Sequence, residues 1–144
     1  MNELDIQPEL VTELLLSFLR EEVSAAGMSR AVVGLSGGID SAVTAALCAR
    51  AFGPDEVLAV LMPYRTSNPA SEADARRVIE RLGIRQRQVD ISAMADAYLD
   101  AEEVVDATRR GNVMARCRMI VLYDLSVVWK GLVIGTSNKT EILL

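Results

Sequence analysis

The run Ala31–Ser41, AVVGLSGGIDS, limits what this chain can fold into more than any other stretch. A short apolar run, Ala31–Leu35, stops at Ser36, Gly37 and Gly38. Ile39 and Asp40 follow, and an apolar-periodic segment opens at Ser41 and continues to about Phe52. The pattern predicts a strand, a glycine-rich turn and a helix, which is a phosphate-binding layout. Backbone N–H groups in such a turn, backed by the positive end of a helix, form a concave anion site. Adjacent glycines allow positive φ and close approach by a bulky polyanion. The loop matches neither common glycine-rich signature. It has no G-x-x-x-x-G-K-[ST] and no lysine, and G-x-G-x-x-G is absent.

Three further apolar runs repeat the alternation. Pro8–Ala26 reads as an amphipathic helix with Val11, Leu14, Leu15, Phe18 and Leu19 at three- and four-residue steps. Leu10, Leu16 and Val23 widen that stripe, which suits either core packing or a subunit contact. Glu56–Met62 predicts a second strand, apolar almost throughout, as expected of a strand covered on both faces. Pro63–Pro69 is a loop, Ser71 is a candidate cap, and Glu72–Leu82 predicts a helix ending at Gly83. Arg85–Ile91 predicts a more polar strand nearer a sheet edge. Ser92–Ala107 suggests short helical pieces, and its carboxylates read as a solvated face. Arg109–Lys130 predicts a long helix and Leu132–Ile134 a fourth strand. The order β-α-β-α-β-α-β argues for an α/β fold, a doubly wound parallel sheet with helices on both faces. SGGIDS, MPYR and GTSNKTE each follow a strand, so all three belong at one end of that sheet, where ligands bind.

Bulk properties bound the function classes. One domain is the default for 144 residues. The net charge of −5 argues against indiscriminate binding to nucleic acid or an anionic membrane. No apolar run is long enough to span a bilayer, and no basic-then-apolar signal opens the chain, so a cytoplasmic protein is expected. The absence of histidine removes every His-dependent triad and His-ligated metal site. Cys48 and Cys117 form no CxxC and fall on predicted helices, which favours buried free thiols. Asn112 and Arg116 are four apart and share a helical face. They read either as surface polar groups or as a clamp for an anionic or amide-bearing ligand. Two residues on, Arg118 points about 200° round the helix.

SGGIDS after a strand resembles the pyrophosphate-binding loop of the N-type ATP pyrophosphatases, whose fold is of the adenine nucleotide alpha hydrolase, Rossmann-like type. Three motifs in order, SGGIDS, GNVMARCRM (Gly111–Met119) and GTSNKTE, with MPYRTSNPASEADA between the first two, resemble the ammonia-dependent NAD synthetases of that superfamily. The resemblance runs from about Val32 to Leu144. It implies Gly34, Leu35, Ser36, Gly37, Gly38, Ile39, Asp40 and Ser41 for ATP phosphates, with Met62, Arg65 and Thr136 also at the nucleotide. It further implies Asp40 and Glu141 for Mg²⁺, and Asn112 and Arg116 for deamido-NAD. Lys139 suits phosphate contact or plain surface and is left outside the site. The implied reaction joins deamido-NAD, ATP and ammonia. The nicotinate carboxylate is adenylated with loss of pyrophosphate, and ammonia then displaces AMP to give NAD. No residue forms a covalent intermediate, and a homodimer with deamido-NAD bound near its interface is implied.

Two departures from the family pattern bear on these expectations. The stretch before Ala31 is too short for an attached glutaminase. Family members also continue beyond GTSNKTE into a segment that contacts substrate, so a single, C-terminally incomplete domain is expected. Two other readings stay open: a GMP-forming or tRNA-thiolating pyrophosphatase, or a nucleotide-binding or dimerising domain without turnover. The acidic balance and the lack of a CxxC weigh against the tRNA option.

Overall fold

Successive residues of a strand point to opposite faces, so an apolar run without polar alternation must be covered on both sides. The computed structural model, which describes residues 7–135, places the strands in that setting. They are β1 (Arg30–Gly34), β2 (Val57–Leu61), β3 (Arg85–Gln88) and β4 (Gly131–Val133). All pairings are parallel and the order is β3-β2-β1-β4. The chain steps outward from β1 to β3 and then returns to the other side of β1. The order therefore reverses at β1, the strand that carries SGGIDS.

The helices are α1 (Pro8–Ala25), α2 (Ile39–Phe52), α3 (Pro69–Leu82), α4 (Ser92–Ala101) and α5 (Ala107–Trp129). Ala31, Val33, Val57 and Ala59 pack against α2 and α3 through residues such as Ala45, Cys48 and Ile79. Val32, Leu58 and Val60 face the other way, against Leu99 of α4 and Leu122 and Leu125 of α5. The sheet thus separates two apolar cores and is doubly wound. α1 joins the α2 side through Leu19, and the Arg20 Nε donates to the Ala51 carbonyl (3.1 Å). Among the described residues, no helix is long and apolar enough to cross a membrane.

Several boundaries differ from the sequence expectation, each for a local reason. α2 opens at Ile39, two residues before Ser41, because its cap is Gly38. α3 is capped by Asn68, not Ser71: the Asn68 side chain accepts the Ala70 N–H (2.9 Å), and Pro69 takes the first helical position. The third strand ends at Gln88, not Ile91, although Val89 and Ile91 still donate backbone N–H groups to Leu61 and Pro63 (2.8 and 2.9 Å). All of β3 is exposed at the sheet edge, where polar side chains discourage further pairing. α5 begins at Ala107, since the Asp106 carboxylate accepts the Arg109 N–H (3.0 Å). In α1 the buried positions are Leu16, Leu19 and Val23, while Leu10, Leu14 and Phe18 are exposed.

Both cysteines are free and buried. Burial pushes the Cys48 thiol from its ordinary 9.0 up to about 12. The unfolded chain releases that proton first, so this contribution to stability is intact below pH 9 and is lost as pH rises toward 12. Chemical denaturation of the protein and of Cys48→Ala across that range is expected to show a shallower alkaline loss in the variant. Parallel curves would exclude the thiol as a cause.

Candidate active site

The turn between β1 and α2 is organised by two serines. Ser41 is buried, and its hydroxyl accepts the Ser36 N–H (3.2 Å) while donating to the Gly38 carbonyl (3.1 Å). The Ser36 hydroxyl lies 3.2 Å from that of Ser41 and accepts the Gly38 N–H (3.3 Å). Gly37 has φ +87°, and a Cβ there would meet the Ser71 carbonyl oxygen at 2.2 Å. The loop backbone thus lies directly against the backbone of the first turn of α3. Gly38 gives α2 no side-chain cap. The first N–H groups of a helix have no partner within it, so this start favours an anion.

A cleft of about 440 Å³ opens beside the loop, over the carboxyl ends of β1 and β2. Its floor comes from Gly34, Leu35 and Ser36 on one strand end and from Met62 and Pro63 on the other. The start of α3 forms one wall through Ser67, Asn68, Ser71 and Glu72, and Ala115, Arg118 and Leu122 of α5 form the other. The Arg118 Nε donates to the Met62 carbonyl (3.0 Å), and burial lowers the pKa of its guanidinium, which still stays charged at neutral pH. Among the described residues, Arg118 is the cationic side chain that lines this cleft of hydroxyl, amide and backbone groups. Such a pocket suits a polar ligand carrying negative charge.

The residues singled out from sequence are only partly brought together. Gly34, Leu35, Ser36 and Met62 line the cleft, and Gly37, Gly38, Ile39 and Asp40 continue from it along the loop into α2. Ser41 is turned inward and holds the loop. Arg65 is not among the lining residues; its guanidinium pairs with Asp96. Asn112 and Arg116 lie exposed on α5, outside the cleft lining. Thr136, Lys139 and Glu141 fall outside the described residues. Among the described residues no group of three or more acidic, cysteine or histidine side chains could hold a metal ion.

Arg118 is the functional candidate that the sequence reading passed over. Its spacing to Leu122 and Leu125, at i+4 and i+7, puts it on the sheet-facing stripe of α5. That phase was the available signal. The stretch Ser67–Glu72 lies within the MPYRTSNPASEADA segment that the resemblance set beside the nucleotide, but its individual wall residues could not be named, since they depend on how α3 leans against the loop.

Comparison with known proteins bears on this geometry. A family model described as NAD synthase matches residues 11–144. An NH(3)-dependent NAD(+) synthetase of Trichlorobacter lovleyi is 53% identical over 144 residues, covering 100% of this chain and 53% of its own. Among solved structures, an NH3-dependent NAD synthetase from Campylobacter jejuni in complex with the nitrate ion superposes with a TM-score of 0.89. Its identity is 40%, over 96% of this chain and 60% of that one. An NMN synthetase from Francisella tularensis gives a TM-score of 0.86 at 31% identity, over 95% of this chain and 57% of its own. The chain spans about half the length of the curated relatives it matches. With one family model matched from residue 11 to the last residue, and an NH3-dependent NAD synthetase superposing over nearly the whole chain, the chain belongs to the NAD synthase family.

Proposed function

We propose that this chain forms the ATP-binding part of an ammonia-dependent NAD synthetase. The observation that carries the reading is the uncapped start of α2, placed with SGGIDS at the rim of the cleft above β1 and β2. In this reading, loop and first-turn N–H groups hold the phosphates of ATP, and Arg118 supplies positive charge from the facing wall. Asn112 and Arg116 hold deamido-NAD. Its nicotinate carboxylate oxygen attacks the α-phosphorus and the α–β bridging bond breaks, releasing pyrophosphate. Ammonia then adds to the activated carbonyl, loses a proton and expels AMP. The protein's part is placement and stabilisation of developing charge.

Magnesium belongs to the same proposal, with Asp40 and Glu141 as its ligands. Asp40 is exposed in the first turn of α2 and pairs with no basic side chain among the described residues. A hard oxygen donor next to a phosphate site fits an ion that takes one or two carboxylates and completes its shell with phosphate and water. When bound, the ion offsets triphosphate charge.

The reading also includes a homodimer formed through the outer face of α5. Ile120 (59% exposed), Tyr123 (59%) and Val127 (77%) continue in helical steps from Asn112 and Arg116. A second copy on that stripe would bury it and bring further groups toward deamido-NAD. Val127→Glu is expected to shift sedimentation toward the monomer. An unshifted dimer would move the contact elsewhere.

Turnover tests the whole reading. With ATP, Mg²⁺ and ammonia, deamido-NAD should yield NAD with one AMP and one pyrophosphate. The likeness to an NMN synthetase makes the mononucleotide counterpart of deamido-NAD the substrate to test against it. Exclusive use of the mononucleotide, or of a xanthylate, would replace the assignment. Arg116→Ala is expected to weaken deamido-NAD binding by about 1.5–3 kcal/mol in calorimetry, the range for a hydrogen bond to a charged group. Unchanged affinity would remove Arg116 from the site. Gly37→Ala forces a side chain into positive φ and onto the Ser71 carbonyl. It should weaken ATP binding at least about tenfold, and near-normal binding would show that the loop is not the phosphate site.

A further inference from the structure

Between β2 and α3 the chain makes a short excursion away from the cleft and then returns to it. Met62 and Pro63 line the cleft, Tyr64–Thr66 do not, and Ser67 and Asn68 line it again. The excursion closes on itself: the Tyr64 N–H donates to the Ser67 hydroxyl (2.9 Å), and the Ser67 N–H donates to the Tyr64 carbonyl (2.8 Å). Its outer end is fastened to the opposite layer. The Tyr64 side chain is buried, with only 5% of the residue exposed, and its hydroxyl donates to Asp96 Oδ1 on α4 (2.5 Å). Arg110, in the first turn of α5, donates to the same hydroxyl (3.0 Å) and to the Val104 carbonyl (2.9 Å). Arg65 pairs with Asp96 Oδ2 through its guanidinium, and its backbone N–H donates to the Ser92 hydroxyl at the start of α4 (2.9 Å).

We propose that Asp96 and Tyr64 are positioning residues for nucleotide binding: together they fix the cleft wall from Ser67 to Ser71 against the SGG loop. The inference rests on the ATP reading above. Directional polar bonds set a position more narrowly than apolar contact does, and a largely buried carboxylate engaged by two neighbours resists displacement. What they position is specific. The fastened turn delivers Asn68, which caps α3, and α3 in turn sets the Ser71 carbonyl on which Gly37 rests. A shift of the turn therefore moves one wall and the phosphate loop together. The turn also holds the first turn of α5 through Arg110, but Asn112 and Arg116 lie farther along that helix on its exposed face, so deamido-NAD binding depends on the turn less directly than ATP binding does.

Calorimetric titration with ATP and Mg²⁺, and separately with deamido-NAD, tests this on the unmodified protein, Tyr64→Phe, Asp96→Ala and Asp96→Asn. Asp96→Ala is expected to weaken ATP roughly tenfold, the scale on which small misplacements act. Tyr64→Phe should act in the same direction, and the double variant Tyr64→Phe with Asp96→Ala should be little worse than Asp96→Ala, since the two groups act as a unit. Asp96→Asn should retain most of the affinity, because its carbonyl oxygen still accepts the Tyr64 hydroxyl. Deamido-NAD affinity should fall less than ATP affinity in every variant. Denaturation midpoints, measured alongside, identify any variant that fails to fold, and Tyr64→Phe, which removes a single oxygen, keeps the test decisive if Asp96→Ala does. ATP affinity unchanged in a folded Tyr64→Phe and Asp96→Ala would overturn the inference. So would equal loss of both ligands together with a lowered midpoint, which is the signature of a merely structural pair. An unmodified protein that binds no ATP would overturn the functional reading itself, whereas one that binds as well as its variants would overturn only this step.

Discussion

The backbone of Gly37 lies against the carbonyl of Ser71, and the loop after β1 and the start of α3 place one another there. A glycine is required there twice over, by φ +87° and by the lack of room for a Cβ. The contact joins the loop after β1 to the helix after β2, two elements that sheet hydrogen bonding alone would leave free to tilt. The sheet below is held by ordinary means: Val32, Val33, Val57 and Val60 are fully buried, and the strands pair in one parallel register. Apolar packing therefore fixes the floor and seats α3 and α5 on it, whereas a backbone contact and a few polar bonds set how the start of α3 meets the loop.

That division explains what could be read from the chain alone. Near-unbroken apolar runs alternating with helical patterns could be satisfied only by a parallel sheet covered on both faces, and β1, β2 and β4 follow from them. SGGIDS could be placed because glycines, hydroxyls and a following helix are all local signals. Arg118 carried a weaker signal, its phase with Leu122 and Leu125 on α5, which gains weight only once those leucines are seen to face the sheet. Tyr64, Asp96 and Arg110 were invisible for a stronger reason. Their partners lie 32 and 46 residues apart along the chain, and no local pattern in 62–68 or 92–101 announces a bond between them. Ser41 shows what a local signal leaves out: its type and place suited phosphate contact, and in the fold its buried hydroxyl bonds to Ser36 and Gly38.

Arg116 and Arg118 of α5 face different sides of the helix. Arg118 reaches the cleft beside the β2 end, while Arg116, two positions earlier, lies exposed on the helix. Under the proposed function both serve one reaction, in which a carboxylate of the dinucleotide must reach the α-phosphorus of ATP. A helix cannot turn both side chains into a single cleft when they stand about 200° apart around its axis. The dinucleotide must then pass around α5, or the groups that complete its site must come from chain not yet packed against this face. The exposed Ile120, Tyr123 and Val127 mark where such a covering surface would lie. On this view the apolar stripe and the outward arginine have one cause: α5 serves as the wall of the nucleotide cleft on one side and as the floor of a second, shared site on the other.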